Sequence, residues 1–170
     1  RRISVSRRKH EVVRYAQRLE GEIGRHSSIQ DYRAAATIRA DTEGTGIYLL
    51  PSAEAFSRLE PGSAPTGVVF SDGSFLIVKE TFRFGYRTPR DDEPTVWRSE
   101  YSYHYQRPSE GYFFRFDCHP AMGDPETHPV HHLHSAGWRE EDTKLASVPR
   151  FSVPEATLPE VLELIEVSFF

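Results

Sequence analysis

Between Arg7 and Arg25 the apolar positions Val12, Val13, Ala16, Leu19 and Ile23 recur at helical intervals, and Ser6 stands where an N-cap belongs. An amphipathic helix follows from that spacing. Ser27 to Arg33 reads as a short second helix. Ala36 to Ala40 and Thr45 to Leu50 flank the turn-like Asp41-Thr42-Glu43-Gly44 and predict a hairpin. Ser52 to Leu59 has room for two helical turns. The loop composition of Glu60-Pro61-Gly62-Ser63-Ala64-Pro65 marks the expected boundary between residues 1–65 and a body at 66–170.

From Gly67 onward the pattern changes to a period of two. Val68 to Phe70, the tight turn Ser71-Asp72-Gly73, and Phe75 to Phe84 predict a hairpin with one long arm. After a charged loop come strands at Val96 to Gln106 and Tyr112 to Asp117, then a Pro- and Gly-containing loop and the segment His128-Pro129-Val130-His131-His132-Leu133-His134. Short connections favour an antiparallel meander, because parallel strands need crossovers long enough to hold helices. Thr157-Leu158-Pro159-Glu160 has capping-box form and opens a helix whose apolar stripe is Val161, Leu162, Ile165 and Phe169. The expected fold is therefore α+β: an antiparallel meander of five to seven strands, with N-terminal helices and a C-terminal helix packed on one face.

Side chains alternate across a strand, so the two faces separate on paper. Leu76, Val78, Phe82 and Phe84 join Tyr101, Tyr103, Tyr105, Tyr112, Phe114 and Phe116 in an aromatic core. The other face collects Lys79, Thr81, Arg83, Ser102, His104, Gln106, Arg115 and Asp117, with His132 and His134 beside them and His131 and Leu133 turned away. Two expectations are open for that face: a solvated surface, or a cation-rich site.

Composition narrows the class. Hydrophobic residues at 38% and aromatics at 12% support a folded core, and no apolar run approaches the length of a membrane span. With no signal-peptide pattern either, a cytoplasmic protein with no membrane partner is expected. The single cysteine, Cys118, excludes an internal disulfide framework and a Cys-rich zinc ribbon, and reads as a small buried residue at a strand end. The net charge of −4 conceals an asymmetry. Residues 1–40 hold ten Lys and Arg against four Asp and Glu, whereas residues 41–170 hold eleven against twenty-one. Arg1, Arg2, Arg7, Arg8, Lys9, Arg14 and Arg18 form the basic cluster, which fits either phosphate binding or a solvated helix face.

Four of the eight histidines fall within residues 128–134. Histidine titrates near neutrality and is the commonest ligand of transition metals, so the cluster supports two chemistries. One is metal-free RNA cleavage, with His132 and His134 as general base and acid, His104 as their alternative, and Arg83, Arg115 and Lys79 holding the phosphate. Tyr86 or Tyr48 would stack a base. The other is a hydrolase or nuclease holding zinc or manganese through His128, His132 and His134, with His104, Asp117 or His119 as further candidates for the third ligand. Histidines serving only as hydrogen-bonding strand residues, with no catalysis, are the third account.

The order of Phe70-Ser71-Asp72-Gly73-Ser74-Phe75, YSYHYQ at 101–106, YFFRFD at 112–117, HPVHHLH at 128–134 and the TLPEVLELI helix resembles the TumE family of toxin components of prokaryotic toxin–antitoxin pairs. The resemblance covers about residues 66–168 and leaves 1–65 unassigned. It implies a small intracellular protein neutralised by a cognate antitoxin. A helix followed by a meander is also similar to RelE-like and barnase-like endoribonuclease toxins, an analogy of fold alone. The combined expectation is the toxin of a toxin–antitoxin pair acting as a metal-independent endoribonuclease on RNA. The competing expectations are the metal-dependent hydrolase and a non-catalytic module that binds nucleic acid or protein through its basic helix.

Overall fold

The structure, a computed structural model, describes residues 5–32, 39–40, 45–50, 65–124, 126–137 and 150–170. Helix α1 spans Val5–Ile23 and buries Val12, Ala16, Leu19 and Ile23, while Val13 is turned to solvent. Ser6, expected as its N-cap, lies inside the described range of this helix. The amide of Gly24 closes the last turn onto the Glu20 carbonyl oxygen at 3.0 Å.

Where a second helix is expected, the chain instead forms strand β1 (Ile29–Tyr32), antiparallel to β4 (Val68–Phe70). One N-terminal helix, not several, is therefore present among the described residues. Short polar sequences such as Gln30-Asp31 fix neither state locally, and pairing with β4 decides it. Strands β2 (Arg39–Ala40) and β3 (Thr45–Leu50) form the expected hairpin. The helix expected at Ser52 to Leu59, and nearly all of the loop after it, lie outside the described residues.

The long strands are β5 (Phe75–Gly85) and β6 (Thr95–Arg107), followed by β7 (Tyr112–Cys118), β8 (His131–Gly137) and β9 (Arg150–Ser152). All pairings are antiparallel, and the described strands form one nine-stranded sheet, wider than the five to seven expected. The extra width comes from β1 and β9. Strands β3 and β4 share one edge of β5 end to end, with Leu50 opposite Val78 and Val68 opposite Leu76. At their junction Gly67 has φ 77°, and a Cβ there would come within 2.5 Å of the Leu76 carbonyl oxygen, so only glycine fits.

The turn joining β4 to β5 uses Gly73 at φ 81°, and Asp72 Oδ1 accepts the Ser74 amide at 2.9 Å. Between Thr81/Glu100 and Phe82/Arg98 a bulge inserts Ser99 into β6 and reverses the parity of side chains beyond it. Helix α2 (Leu158–Phe169) is capped as expected, with Glu160 Oε2 accepting the Thr157 amide at 2.7 Å. Its buried Leu158, Val161, Leu162 and Ile165 join the α1 stripe and the sheet residues Leu76, Val78, Phe82, Tyr101, Tyr103, Tyr105 and Phe114 in one core. Both helices thus cover the aromatic face. No helix among the described residues is long and apolar enough to cross a membrane.

Candidate functional site

On the face away from the helices, two neighbouring rows cross the sheet. Lys79, Ser102, Asp117, His132 and Ser152 stand side by side from β5 to β9. In the next row stand Ile77, His104, Arg115, His134 and Arg150. Directly opposed residues on one face lie about 5 Å apart at Cβ, so register alone gathers three imidazoles, one carboxylate, two guanidiniums and the Lys79 ammonium in two rows.

This face is not a solvated one. His104 and Gln106 are 0% exposed, Asp117 and His132 1%, and His134 2%. Burying so many polar groups is costly unless they find partners. Asp117 finds several: Arg115 Nε donates to its Oδ2 at 2.6 Å, and Ser102 also donates to the carboxylate. Burial pushes the Asp117 carboxyl up, but the Arg115 charge, the Ser102 hydrogen bond and the neighbouring histidines together hold it below its ordinary value.

The histidines are less well provided. His132 Nδ1 lies 2.7 Å from the Pro129 carbonyl oxygen, which can only accept, so that nitrogen carries the hydrogen and Nε2 is left with a lone pair. His132 Nε2 and both ring nitrogens of His134 are buried with no hydrogen-bond partner among the described residues. Nevertheless, both ε-nitrogens face one oxygen: Asp117 Oδ2 is 3.7 Å from His132 Nε2 and 3.5 Å from His134 Nε2. Burial lowers the pKa of both rings, with the Arg115 charge adding to the effect at His134.

The loop between β7 and β8 brings up two more imidazoles. The His119 amide donates to the Val130 carbonyl oxygen at 3.0 Å, and His128 exchanges backbone hydrogen bonds with Asp124. His128 therefore sits beside the strand, its ring 4.6 Å from that of His132, with a buried and unpartnered Nε2. His119 Nε2 lies 4.0 Å from Asp117 Oδ1, and its ring, 31% exposed, forms the rim with Arg115 at 25%. Of the metal ligands considered from sequence, Asp117, His132 and His134 are the set whose donor atoms meet, all within 4.8 Å of one another.

Other candidates are placed elsewhere. His104 belongs to the second row, but its Nε2 pairs with the Gln106 side chain at 2.9 Å and its ring stacks on Phe113. Complete burial brings its pKa down to about 3. Lys79 stands at the end of the first row. Arg83 is exposed and lies opposite Trp97, beyond the bulge and about 20 Å of strand from the partner of His104. The structure does not bring it to the cluster. Tyr48 is 0% exposed, which removes it as a platform for a base, while Tyr86 is half-buried. Cys118 ends β7 as a buried thiol, which burial pushes up to about 11. Sequence reasoning missed the Pro129 carbonyl, because a backbone acceptor leaves no pattern in the sequence, and it placed Ser102 on this face without giving it a role.

The polar rows, the aromatic face and the capped helix fall within residues that match one family model, described as Toxin TumE, over residues 51–168. This chain belongs to the TumE toxin family. The match begins before Phe70-Ser71-Asp72-Gly73 and includes both histidine rows and all of α2 but its last residue. Membership points to a toxin of a toxin–antitoxin system, a family that in general implies an antitoxin partner. No curated protein and no solved structure matches the chain.

Proposed function

We propose that this TumE-family toxin acts by cleaving RNA at the cluster of Asp117, His132 and His134. The observation that carries the reading is the convergence of two unpartnered ε-nitrogens on one buried carboxylate oxygen. Such a sacrifice of hydrogen bonding is expensive in a core and typical of sites that meet a further group.

Cleavage proceeds when the ribose 2′-oxygen attacks the adjacent phosphorus. The 2′-hydroxyl proton goes to a base, the bond from phosphorus to the 5′-oxygen breaks, and that oxygen takes a proton from an acid. The products are a 2′,3′-cyclic phosphate and a 5′-hydroxyl. In the metal-independent form of this reading His132 and His134 are base and acid, and Arg115, at the rim, steadies charge on the phosphorane. His104 is set apart by its Gln106 and Phe113 contacts, which makes it a support for the site.

A second reading draws on α1, where Arg7, Arg14, Arg18 and Arg25 line one groove with Glu93 and Pro94. In it the chain is a binding module whose basic helix docks on nucleic acid. One experiment separates the two: purified protein incubated with total RNA beside a His132→Ala/His134→Ala variant, both checked for folding by circular dichroism. Cleavage that the folded variant lacks supports the ribonuclease. RNA bound but left intact by both proteins gives the field to the binding module.

A further inference from the structure

We propose that Asp117, His132 and His134 form a binding site for one first-row transition-metal dication of the zinc type. The inference shares its location with the ribonuclease reading and rests on it only for RNA as the substrate; imidazoles that hold a metal cannot also serve as base and acid, so it replaces the metal-independent form, and its geometry stands independently.

Three facts argue for a cation. First, His132 Nδ1 is committed to the Pro129 carbonyl oxygen at 2.7 Å, so the atom aimed at Asp117 Oδ2 is an acceptor facing an acceptor. In the neutral ring, lone pairs of an imidazole and a carboxylate repel across 3.7 Å, and either a proton or a metal cation between them relieves it. A backbone carbonyl on the far nitrogen is also the usual device for orienting a metal-binding histidine. Second, the spacing of each imidazole from the carboxylate is right, and all three donors lie within 4.8 Å of one another. Donors about 2.1 Å from a shared zinc stand about 3.4 Å apart at tetrahedral angles, and the observed separations from Oδ2 are 3.7 and 3.5 Å. These are too long for hydrogen bonds and close to the edge of a coordination tetrahedron. Third, His134 offers two buried nitrogens without any hydrogen-bond partner among the described residues, one of them aimed at the same carboxylate oxygen.

Arg115 holds the same carboxylate at 2.6 Å, and Ser102 donates to it as well. Together they fix the orientation of Asp117 and leave a lone pair of Oδ2 for the metal. Two imidazoles and one carboxylate suit zinc, cobalt, nickel or iron better than magnesium, which prefers an all-oxygen shell. Three protein ligands leave a fourth position, the arrangement of a catalytic and not a closed structural site. His119 stands beside these ligands on the partly exposed rim, 4.0 Å from Asp117 Oδ1.

The test uses the full chain stripped with a chelator and titrated with cobalt(II), zinc and magnesium. The expected result is one equivalent of cobalt with visible absorption of tetrahedral intensity, displaced by zinc and not by magnesium. Asp117→Asn and His134→Ala should each weaken binding at least 100-fold, whereas His131→Gln, on the opposite face, should not. Absence of cobalt binding in the wild-type chain overturns the proposal even if every variant misfolds. So does undiminished binding in folded Asp117→Asn. Metal bound at this site with RNA left intact sustains the inference and defeats the ribonuclease reading; RNA cleaved by a chain that binds no metal does the reverse.

Discussion

Glu80 and Arg98 lie 3.7 Å apart beneath α1, although strict alternation along β6 would place Arg98 on the other side of the sheet from Tyr101. The Ser99 bulge makes the meeting happen by reversing side-chain parity between Glu100 and Arg98. Glu80 also accepts hydrogen bonds from Tyr15 of α1 and Tyr103 of β6, and Arg98 bonds to Glu155 at 2.7 Å. One carboxylate thus ties the first helix to the sheet, and one guanidinium ties the sheet to the approach to α2.

Removing the cation from such a buried pair costs more than the pair contributes, because the carboxylate is left without compensation. Arg98→Met should therefore lower unfolding free energy by about 3 kcal/mol in urea denaturation. Arg98→Met combined with Glu80→Gln should recover more than half of that loss. A single-variant cost below about 1 kcal/mol would mean that the two tyrosine hydroxyls suffice for Glu80.

The same cluster sets behaviour in alkali. Burial and the Glu80 charge raise the pKa of Tyr15 and Tyr103 above the ordinary tyrosine value, with Arg98 opposing at both and Arg18 at Tyr15. For an acid whose folded pKa is raised, the unfolded chain loses its proton first. Stability is then fully present below the unfolded value and falls as pH rises past it. The loss should begin near pH 10 and approach about 1.4 kcal/mol per pH unit for each tyrosine. Tyr103→Phe should flatten the stability profile between about pH 10 and 11 relative to the wild-type chain, as followed by chemical denaturation. An equally steep decline in that variant would place the alkaline sensitivity elsewhere.

Alternation alone placed His132, His134, Arg115 and Asp117 on one face and the tyrosines on the other, because period two is a local property of extended chain. It was silent on what needs distant partners. Ile29 to Tyr32 became a strand through β4, Arg98 changed sides through one inserted residue, and the burial of the histidine face depends on packing that no window of sequence records. Tyr48, polar enough to read as exposed, is buried because β3 lies against the middle of β5. At the site itself, the decisive contact is a backbone carbonyl at Pro129, which any residue could have supplied.

Ligand linkage gives the metal proposal a thermal signature. A ligand that binds only the folded state at 100 times its dissociation constant stabilises by about 2.7 kcal/mol. For a domain of this size that raises the melting midpoint by about 5 to 11 °C. Chelator-treated protein should melt lower by that amount than zinc-loaded protein in differential scanning calorimetry, and Asp117→Asn should show no zinc-dependent shift. A shift of wild-type size in Asp117→Asn would assign the zinc to other residues.

Arg7, Arg14 and Arg18 recur along one stripe of α1, with Arg25 just beyond its end, and together they line a groove of about 800 Å³. Exposed carboxylates already sit nearby, with Glu11 3.6 Å from Arg14 and Glu22 2.8 Å from Arg25. Exposed pairs of this kind are worth little, so phosphates can displace them. If single-stranded RNA runs along the stripe, each phosphate contact contributes about 0.7 to the slope of log affinity against log salt. Arg14→Gln with Arg18→Gln should then reduce that slope by about 1.4 and weaken binding at low salt. His132→Ala should leave the slope unchanged, because it lies on the opposite face of the sheet from α1. A slope unaffected by the two arginine substitutions would show that RNA reaches the histidine face without crossing this helix.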